Sequence, residues 1–385
     1  MKKNLPYEGV EQGPIRPPSE ADSLCLRITR NCHWNRCTFC PVYKDDTFSL
    51  RSVEDVIQDI DIIFNHTETL RTLTEDTGRL SVEVIRKLRY ELEPAEQLGF
   101  RVALNWYLAG MESVFLQDAN SLVIKPANLL KILNHLKQRF PQIRRITSYA
   151  RSQTVAKLKD ADLQAIQAAG LNRLHIGFES GSDRVLTRVN KGATKALHIV
   201  AGSKAKAADM ELSEYYMPGL GGQDLSREHA LDSADALNQI NPDFIRIRSL
   251  AIPPQTSLYE EYQAGRFKKC TNVMTVAETV LFLENLQNIT STITSDHFLN
   301  LFSEVEGRLP EDQGKMLSIL RDFLNADPEK QRLYQVGRRM GFLSRLNLLD
   351  DPQIWAQTQA VCCELGVTAD NVDDISDAIL LQHGL

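Results

Sequence analysis

Three cysteines, Cys32, Cys37 and Cys40, fall within nine residues in the run Cys32-His33-Trp34-Asn35-Arg36-Cys37-Thr38-Phe39-Cys40. Thiolates are soft ligands and select zinc or iron–sulfur clusters. Either centre takes four ligands, and this loop supplies three, because the next histidine is His66 and the next cysteine is Cys270. A structural zinc knuckle would bring a second ligand pair roughly a dozen to twenty residues on, and none is there. The spacing therefore points to a metal centre with one coordination position left open, which is where chemistry takes place. It favours an iron–sulfur cluster over zinc.

The loop follows an apolar, strand-like run, Leu24, Leu26 and Ile28. In this arrangement the chain resembles the radical S-adenosylmethionine (SAM) superfamily. There, three cysteines after the first barrel strand hold three irons of a [4Fe–4S] cluster, and SAM takes the fourth. The resemblance makes Cys32, Cys37 and Cys40 the metal ligands and puts Phe39 in the place of the aromatic residue before the third cysteine. Four residues separate Cys32 from Cys37 where three are usual, so the chain carries a Cys-x4-Cys-x2-Cys variant of the loop.

A second run, Gly177-Phe178-Glu179-Ser180-Gly181-Ser182-Asp183, resembles the Gly-x-Glu-Ser-Gly-Ser-Asp element of radical SAM enzymes related to Elongator-type and methylthiotransferase-type proteins. By that resemblance Glu179, with Ser180 beside it, binds the cofactor. A carboxylate at a strand end accepts hydrogen bonds from ribose hydroxyls, and nearby glycines let the backbone come close. Arg188 or Lys191 downstream is a candidate partner for the SAM carboxylate, and solvated helix charge is the alternative for both. Asp118, after the apolar Val114-Phe115-Leu116, stands where the family often has a Gly-Gly-Glu-like element for the SAM amino group; turn formation and capping are its alternative reading. Tyr216-Met217-Pro218-Gly219-Leu220-Gly221-Gly222 resembles the family's glycine-rich turn and places Gly219 against the cofactor.

These groups need strand ends to stand on. Apolar runs near Leu24, Ser113–Leu116, Arg145–Tyr149, Arg173–Gly177, Met210–Tyr216 and Phe244–Ser249 alternate with helical patterns over Val53–Phe64, Lys125–Arg139, Ser152–Ala169, Ser182–Val189, Lys195–Asp209 and Ser226–Gln239. Ser52 is the expected N-cap of the first helix. Repeated βα units imply parallel strands covered by helices, and periodicity alone leaves a partial barrel and a doubly wound sheet both open. The resemblance selects an α/β fold with a partial (β/α)6 TIM-like barrel. In a parallel barrel the ligand groups lie at the carboxyl ends of the strands. The expected division is an N-terminal arm over 1–22, a barrel over 23–300 with an insertion at about 66–110, and a helical region over 301–385. Within the insertion a polar, Thr-rich stretch precedes a helix over Ser81–Leu98. From about Met274 on, the pattern reads as helices without strands, over Val276–Asn288, Pro310–Asn325, Lys330–Gly341 and Pro352–Leu365.

Other polar groups have competing readings. Arg246 and Arg248 alternate with isoleucines and share one face, so they either bind an anionic substrate group or point to solvent. Asp296-His297 reads as a proton-transfer pair or as a cap, and Trp34 as loop packing. Cys25 reads as a small buried hydrophobe. Cys270, Cys362 and Cys363 read as core or surface residues, since adjacent cysteines chelate one metal poorly.

The 385 residues carry a formal net charge of −6, which does not indicate a dedicated nucleic-acid surface. Seven cysteines in a chain of this length do not form a disulfide framework, and neither a signal peptide nor a membrane-spanning run is read, so a cytoplasmic protein is expected. No N-terminal extension large enough for a cobalamin domain is read. The resemblance implies an enzyme that reductively cleaves SAM to a 5′-deoxyadenosyl radical, with an electron donor of flavodoxin or ferredoxin type, acting on a substrate the sequence does not identify. The alternatives are a non-catalytic carrier of cluster and SAM, or a zinc-stabilised binding protein.

Overall fold

The computed structural model describes residues 7–94 and 96–382. They group into two compact units. The first takes in residues up to Asn35, Val42–Ile176 and Lys204–Glu211; the second takes in Arg36–Pro41, Gly177–Ser203 and Leu212 onward.

In the first unit, β1 (Leu24–Arg27) is followed by β2 (Thr29–Arg30), the cysteine-bearing loop and β3 (Ser49–Leu50), with β2 and β3 paired as a short antiparallel ribbon. Helices α1 (Val53–Thr77), α2 (Val82–Glu91) and α3 (Gln97–Leu108) precede β4 (Ser113–Gln117). Then come α4 (Pro126–Arg139), β5 (Arg145–Ala150), α5 (Ser152–Lys157), α6 (Asp160–Ala168) and β6 (Leu171–Glu179), the last three residues of β6 belonging to the second unit. β1, β4, β5 and β6 pair in that order, all parallel. Paired residues of a parallel ladder share a face. Leu24, Leu26, Val114, Leu116, Ile146 and Ile176, each at most 1% exposed, form an aliphatic face. On the other, Phe115 meets Tyr149 edge-to-face and Tyr149 meets His175 at a tilt, with centroids 5.2 and 5.6 Å apart.

The N-terminal arm does more than cover a surface. Its one helical turn, Pro18–Glu20, places Glu20 fully buried, with Oε1 accepting from Thr147 Oγ1 at 3.0 Å and Oε2 from Ser23 Oγ at 2.6 Å. Arg145, Arg173 and His175 stand around the same carboxylate at 3.3 to 3.7 Å.

Three helices depart from expectation. The first continues past Phe64 through the Thr-rich stretch to Thr77, because the buried stripe Val56, Ile60, Ile63, Thr67, Leu70 keeps helical spacing across it. The threonine hydroxyls there bond back to carbonyls of the preceding turn, Thr67 to Phe64, Thr69 to Asn65 and Thr74 to Leu70 at 2.7–3.0 Å, so they do not break the helix. Ser52 caps it as expected, through Asp55 N at 3.0 Å. The helix expected over Ser152–Ala169 is two, because Leu158 and Lys159 are extended between α5 and α6; Lys204 Nζ caps the break by donating to the carbonyls of Ala156 and Leu158. The helix expected over Ser81–Leu98 ends at Glu91, ahead of Pro94, and α3 is a separate element.

The second unit contains α7 (Asp183–Arg188), α8 (Lys195–Ala207, ending in the first unit), β7 (Glu211–Tyr216), α9 (Gly222–Ile240), β8 (Phe244–Ile247), α10 (Ser257–Gln263) and α11 (Asn272–Glu284). β7 and β8 are parallel. The expectation of strand-free sequence beyond Met274 fails here: β9 (Thr292–Thr294) pairs parallel with β8, and β10 (Gly307–Arg308) pairs antiparallel with β9. Runs of two or three residues are too short to give a period-two signal. Four helices follow, α12 (Gln313–Leu324), α13 (Pro328–Arg339), α14 (Pro352–Glu364) and α15 (Val372–Gln382), the last not expected from sequence. The α/β class and its βα rhythm stand. Among the described residues no helix is long and apolar enough to cross a membrane.

Candidate cofactor site at the strand ends

Asp118, immediately after β4, is 1% exposed, and both of its oxygens are engaged by the chain. Oδ2 accepts from Arg27 Nε at 2.8 Å and from Asn31 N at 3.2 Å, and Oδ1 accepts from the Tyr43 hydroxyl at 2.9 Å. Asn31 and Tyr43 flank the cysteines, so this carboxylate ties down both ends of their loop. Burial first, and the Asp118 charge second, push the Tyr43 phenol far up, keeping it a donor. Gly13 of the arm is required beside it, since a Cβ there would meet Asp118 Oδ1 at 2.0 Å.

Within the first unit's part of the loop, Asn31 and Asn35 take left-handed conformations (φ 66° and 43°), which asparagine tolerates better than most residues. Asn35 Nδ2 donates to the Tyr43 carbonyl, and Asn35 N donates to Cys32 Sγ at 3.4 Å. The Arg151 guanidinium lies over the Trp34 ring at 4.9 Å, and Asn120 Nδ2 is 3.3 Å from His33 Nδ1. Trp34 thus packs the loop, as its sequence context suggested.

In the second unit, Thr38 N donates to Val189 O and Thr38 O accepts from Leu258 N, both at 3.0 Å, so the segment between Cys37 and Cys40 is held on both sides. Phe39 beside it is buried. Glu179 ends β6 with φ 53°, an uncommon conformation for a residue with a side chain, and its carbonyl accepts from Met217 N at 3.1 Å. Its carboxylate pairs with Lys191, both side chains nearly buried. Gly177 leaves the space: a Cβ there would lie 2.3 Å from Glu179 Oε1 and 2.9 Å from Lys191 Nζ.

The hydroxyl of Ser180 is turned away from Glu179 into a buried network. Ser180 Oγ is 2.8 Å from His229 Nδ1, and His229 Nε2 is 2.9 Å from the Met217 carbonyl, which assigns the proton to Nε2 and makes Nδ1 the acceptor. Glu278 on α11 accepts from Gly219 N at 2.8 Å and from Ser226 Oγ at 2.5 Å. Gly219 has φ 85°, so the turn after β7 needs glycine there. Arg188 donates to the Arg266 carbonyl at 2.7 Å and lies over the Phe267 ring at 4.9 Å.

Of the residues singled out from sequence, the fold pairs Glu179 with Lys191, and it engages Asp118, Ser180 and Arg188 with the chain's own groups. Sequence reasoning missed Tyr43, His229, Glu278 and Glu214. For Glu278 a signal existed, a carboxylate among Val276, Thr279, Phe282 and Leu283 on the buried side of α11. Glu214 on β7 is fully buried, and among the described residues neither of its oxygens is hydrogen-bonded; burial, then the Glu179 charge, push its carboxyl well above the usual carboxylate range.

The family model described as Radical SAM superfamily matches residues 26–234, more than half of the chain, and takes in both the cysteine loop and the Glu179 segment. The chain belongs to the radical SAM superfamily. Similar solved structures include Elp3 of the archaeon Methanocaldococcus infernus (15% identity, 52% of this chain and 53% of that one, TM-score 0.41). They also include the radical SAM methyltransferase TsrM of Kitasatospora setae, whose structure holds cobalamin and a [4Fe–4S] cluster (13%, 66% and 36%, 0.39). A third is the coproporphyrinogen III oxidase HemN of Escherichia coli (16%, 73% and 54%, 0.44). The chain spans between about a third and about half of the length of these three proteins. No curated protein matches it.

The cofactors of radical SAM proteins are a [4Fe–4S] cluster and SAM, the pair expected above. The donor chemistry of the loop fits a cluster: none of the three cysteines is in a disulfide, and neighbouring residues on the loop are fixed by hydrogen bonds from elsewhere in the chain. Among the described residues no three His, Cys, Asp or Glu side chains are assembled in metal-binding geometry, so the ligand set rests on donor type and family.

Proposed function

We propose that the chain is a radical SAM enzyme, with Cys32, Cys37 and Cys40 as cluster ligands and Glu179 and the Gly219 turn as SAM contacts. The family match running through both sequence elements carries this reading. When bound, the cluster supplies the electron that cleaves SAM to methionine and a 5′-deoxyadenosyl radical, which takes a hydrogen atom from a substrate not yet identified. The chain's own part is to hold and orient. Phe39 packs beside the third thiolate. Glu179 accepts from the ribose hydroxyls, with Lys191 holding its carboxylate in place through their ion pair. Asp118 holds the loop, while Ser180 and Arg188 brace the segments around Glu179. The electron comes from a flavodoxin- or ferredoxin-type donor, and a reducing cytoplasm suits an oxygen-sensitive centre.

The test is anaerobic reconstitution followed by iron and sulfide analysis, then reduction in the presence of SAM with 5′-deoxyadenosine measured. Iron and sulfide in equal amounts, lost when the three cysteines are replaced by alanine, together with 5′-deoxyadenosine formation, are expected. Zinc without sulfide would point to a zinc-stabilised protein, and a fully loaded sample that forms no 5′-deoxyadenosine would point to a carrier; either result overturns the proposal.

A further inference from the structure

The carboxyl ends of β8 and β9 carry charged groups that none of the roles above uses. Phe244, Arg246 and Arg248 alternate with Ile245 and Ile247. Tyr216, paired with Ile247, stacks on Phe282 of α11 with centroids 3.9 Å apart, so the isoleucines lie on the helix-covered face and the arginines on the other. Arg246 is buried and held by its neighbours: Nε donates to Ser213 Oγ at 3.0 Å, and Nη1 lies 3.3 Å from Asp296 Oδ2 and 3.4 Å from Thr294 Oγ1. Arg248 is different. It is half-buried, and among the described residues no carbonyl, side chain or carboxylate pairs with its guanidinium. A guanidinium partly removed from water without a partner is costly, and an arriving oxyanion relieves that cost.

Next to β9's end stands His297. Its Nδ1 accepts from Leu299 N at 3.2 Å, which leaves Nε2–H as a donor. Burial, and then the Arg248 charge, bring its imidazole down to about 4, so it is neutral at physiological pH. Asp296, the carboxylate of the group, is tied to Arg246. Two arginines against one carboxylate leave one positive charge in excess, which matches a monoanion. A phosphate monoester, carrying more charge, would meet Asp296.

We propose that Arg248, with the Nε2–H of His297, forms the subsite that takes a carboxylate group of the enzyme's small-molecule substrate. The fork of the guanidinium receives both carboxylate oxygens. Naming the ligand a substrate rests on the proposed radical SAM activity; the anion site itself does not.

The test uses the full chain, with and without its reconstituted cluster, labelled with 13C at histidine Cε1, the His297 signal being assigned from His297→Gln. Succinate and inorganic phosphate are the probes. A saturable shift of the His297 signal with succinate is expected, together with weaker phosphate binding. Arg248→Met should weaken succinate about tenfold or more, and Arg248→Lys, which keeps the charge and loses the fork, by less. SAM affinity, read by equilibrium dialysis on the loaded protein, should be unchanged in both variants. No saturable shift, phosphate bound more tightly than succinate, equal succinate affinity in Arg248→Met, or a tenfold loss of SAM affinity would each overturn the proposal, the last by placing Arg248 against SAM itself. The titration without cluster does not depend on turnover, so an absence of 5′-deoxyadenosine in the parent protein would strike the proposed reaction and leave this result standing.

Discussion

At the scale of single residues, Asp118 shows how one carboxylate can organise a loop it does not belong to. Arg27 neutralises it, and Tyr43 and Asn31 bring the two ends of the cysteine loop onto it. Replacing Tyr43 with phenylalanine leaves Oδ1 buried without its donor, and should cost about 1–3 kcal/mol of stability in urea unfolding. The same substitution should lower the iron retained after reconstitution, because the loop loses one anchor. Glu179→Gln tests a different property. The amide keeps the shape but loses the ion pair with Lys191, so a weakened SAM affinity by equilibrium dialysis with the fold intact is the expected outcome, and unchanged affinity would remove Glu179 from the site.

Elements set which of these residues meet. The cysteine loop and the Glu179 segment were legible in the sequence because each is a local run whose residue types declare their chemistry. The His229 and Glu278 contacts were not, because they join residues 49 and 59 positions apart, Ser180 to His229 and Gly219 to Glu278, and no local pattern reports such a pairing. The βα rhythm was legible from apolar periodicity, whereas β9 and β10 were too short to show it. The extension of α1 was hidden because threonine is a poor helix former, yet its buried stripe continues through Thr67 and Leu70. That conflict gives a prediction: Thr69 and Thr72 are exposed and bond back to the preceding turn. Replacing both with alanine should raise stability by about 1 kcal/mol in urea unfolding, from helix propensity alone. A loss of stability would mean the threonines hold the helix rather than burden it.

For the molecule as a whole, ligand linkage and acid response are the informative measurements. SAM at about a hundred times its Kd should stabilise the clustered protein by about 2.7 kcal/mol, and removing the iron should abolish most of that increment. Acid acts through Glu20. Burial alone would raise its carboxyl, but the His175 imidazole beside it, the hydrogen bond from Ser23 and the charge of Arg145 outweigh it and hold it at about 2, below the ordinary 4.5. The stability it supplies is complete above pH 4.5 and is lost as the pH falls toward 2, on the order of 3 kcal/mol in full. Glu20→Gln should therefore lower stability at neutral pH and flatten its fall in acid.

The same carboxylate limits how the chain can be shortened. Trimming to the first strand, with Ser23 as the new start, would remove Glu20, the carboxylate that stands against Arg145, Arg173 and His175 together, and leave Arg173 its Glu211 partner. What looks like a dispensable leader is the counter-ion for the foot of two strands, and a shortened version should come out aggregated even though every expected cofactor residue is still present.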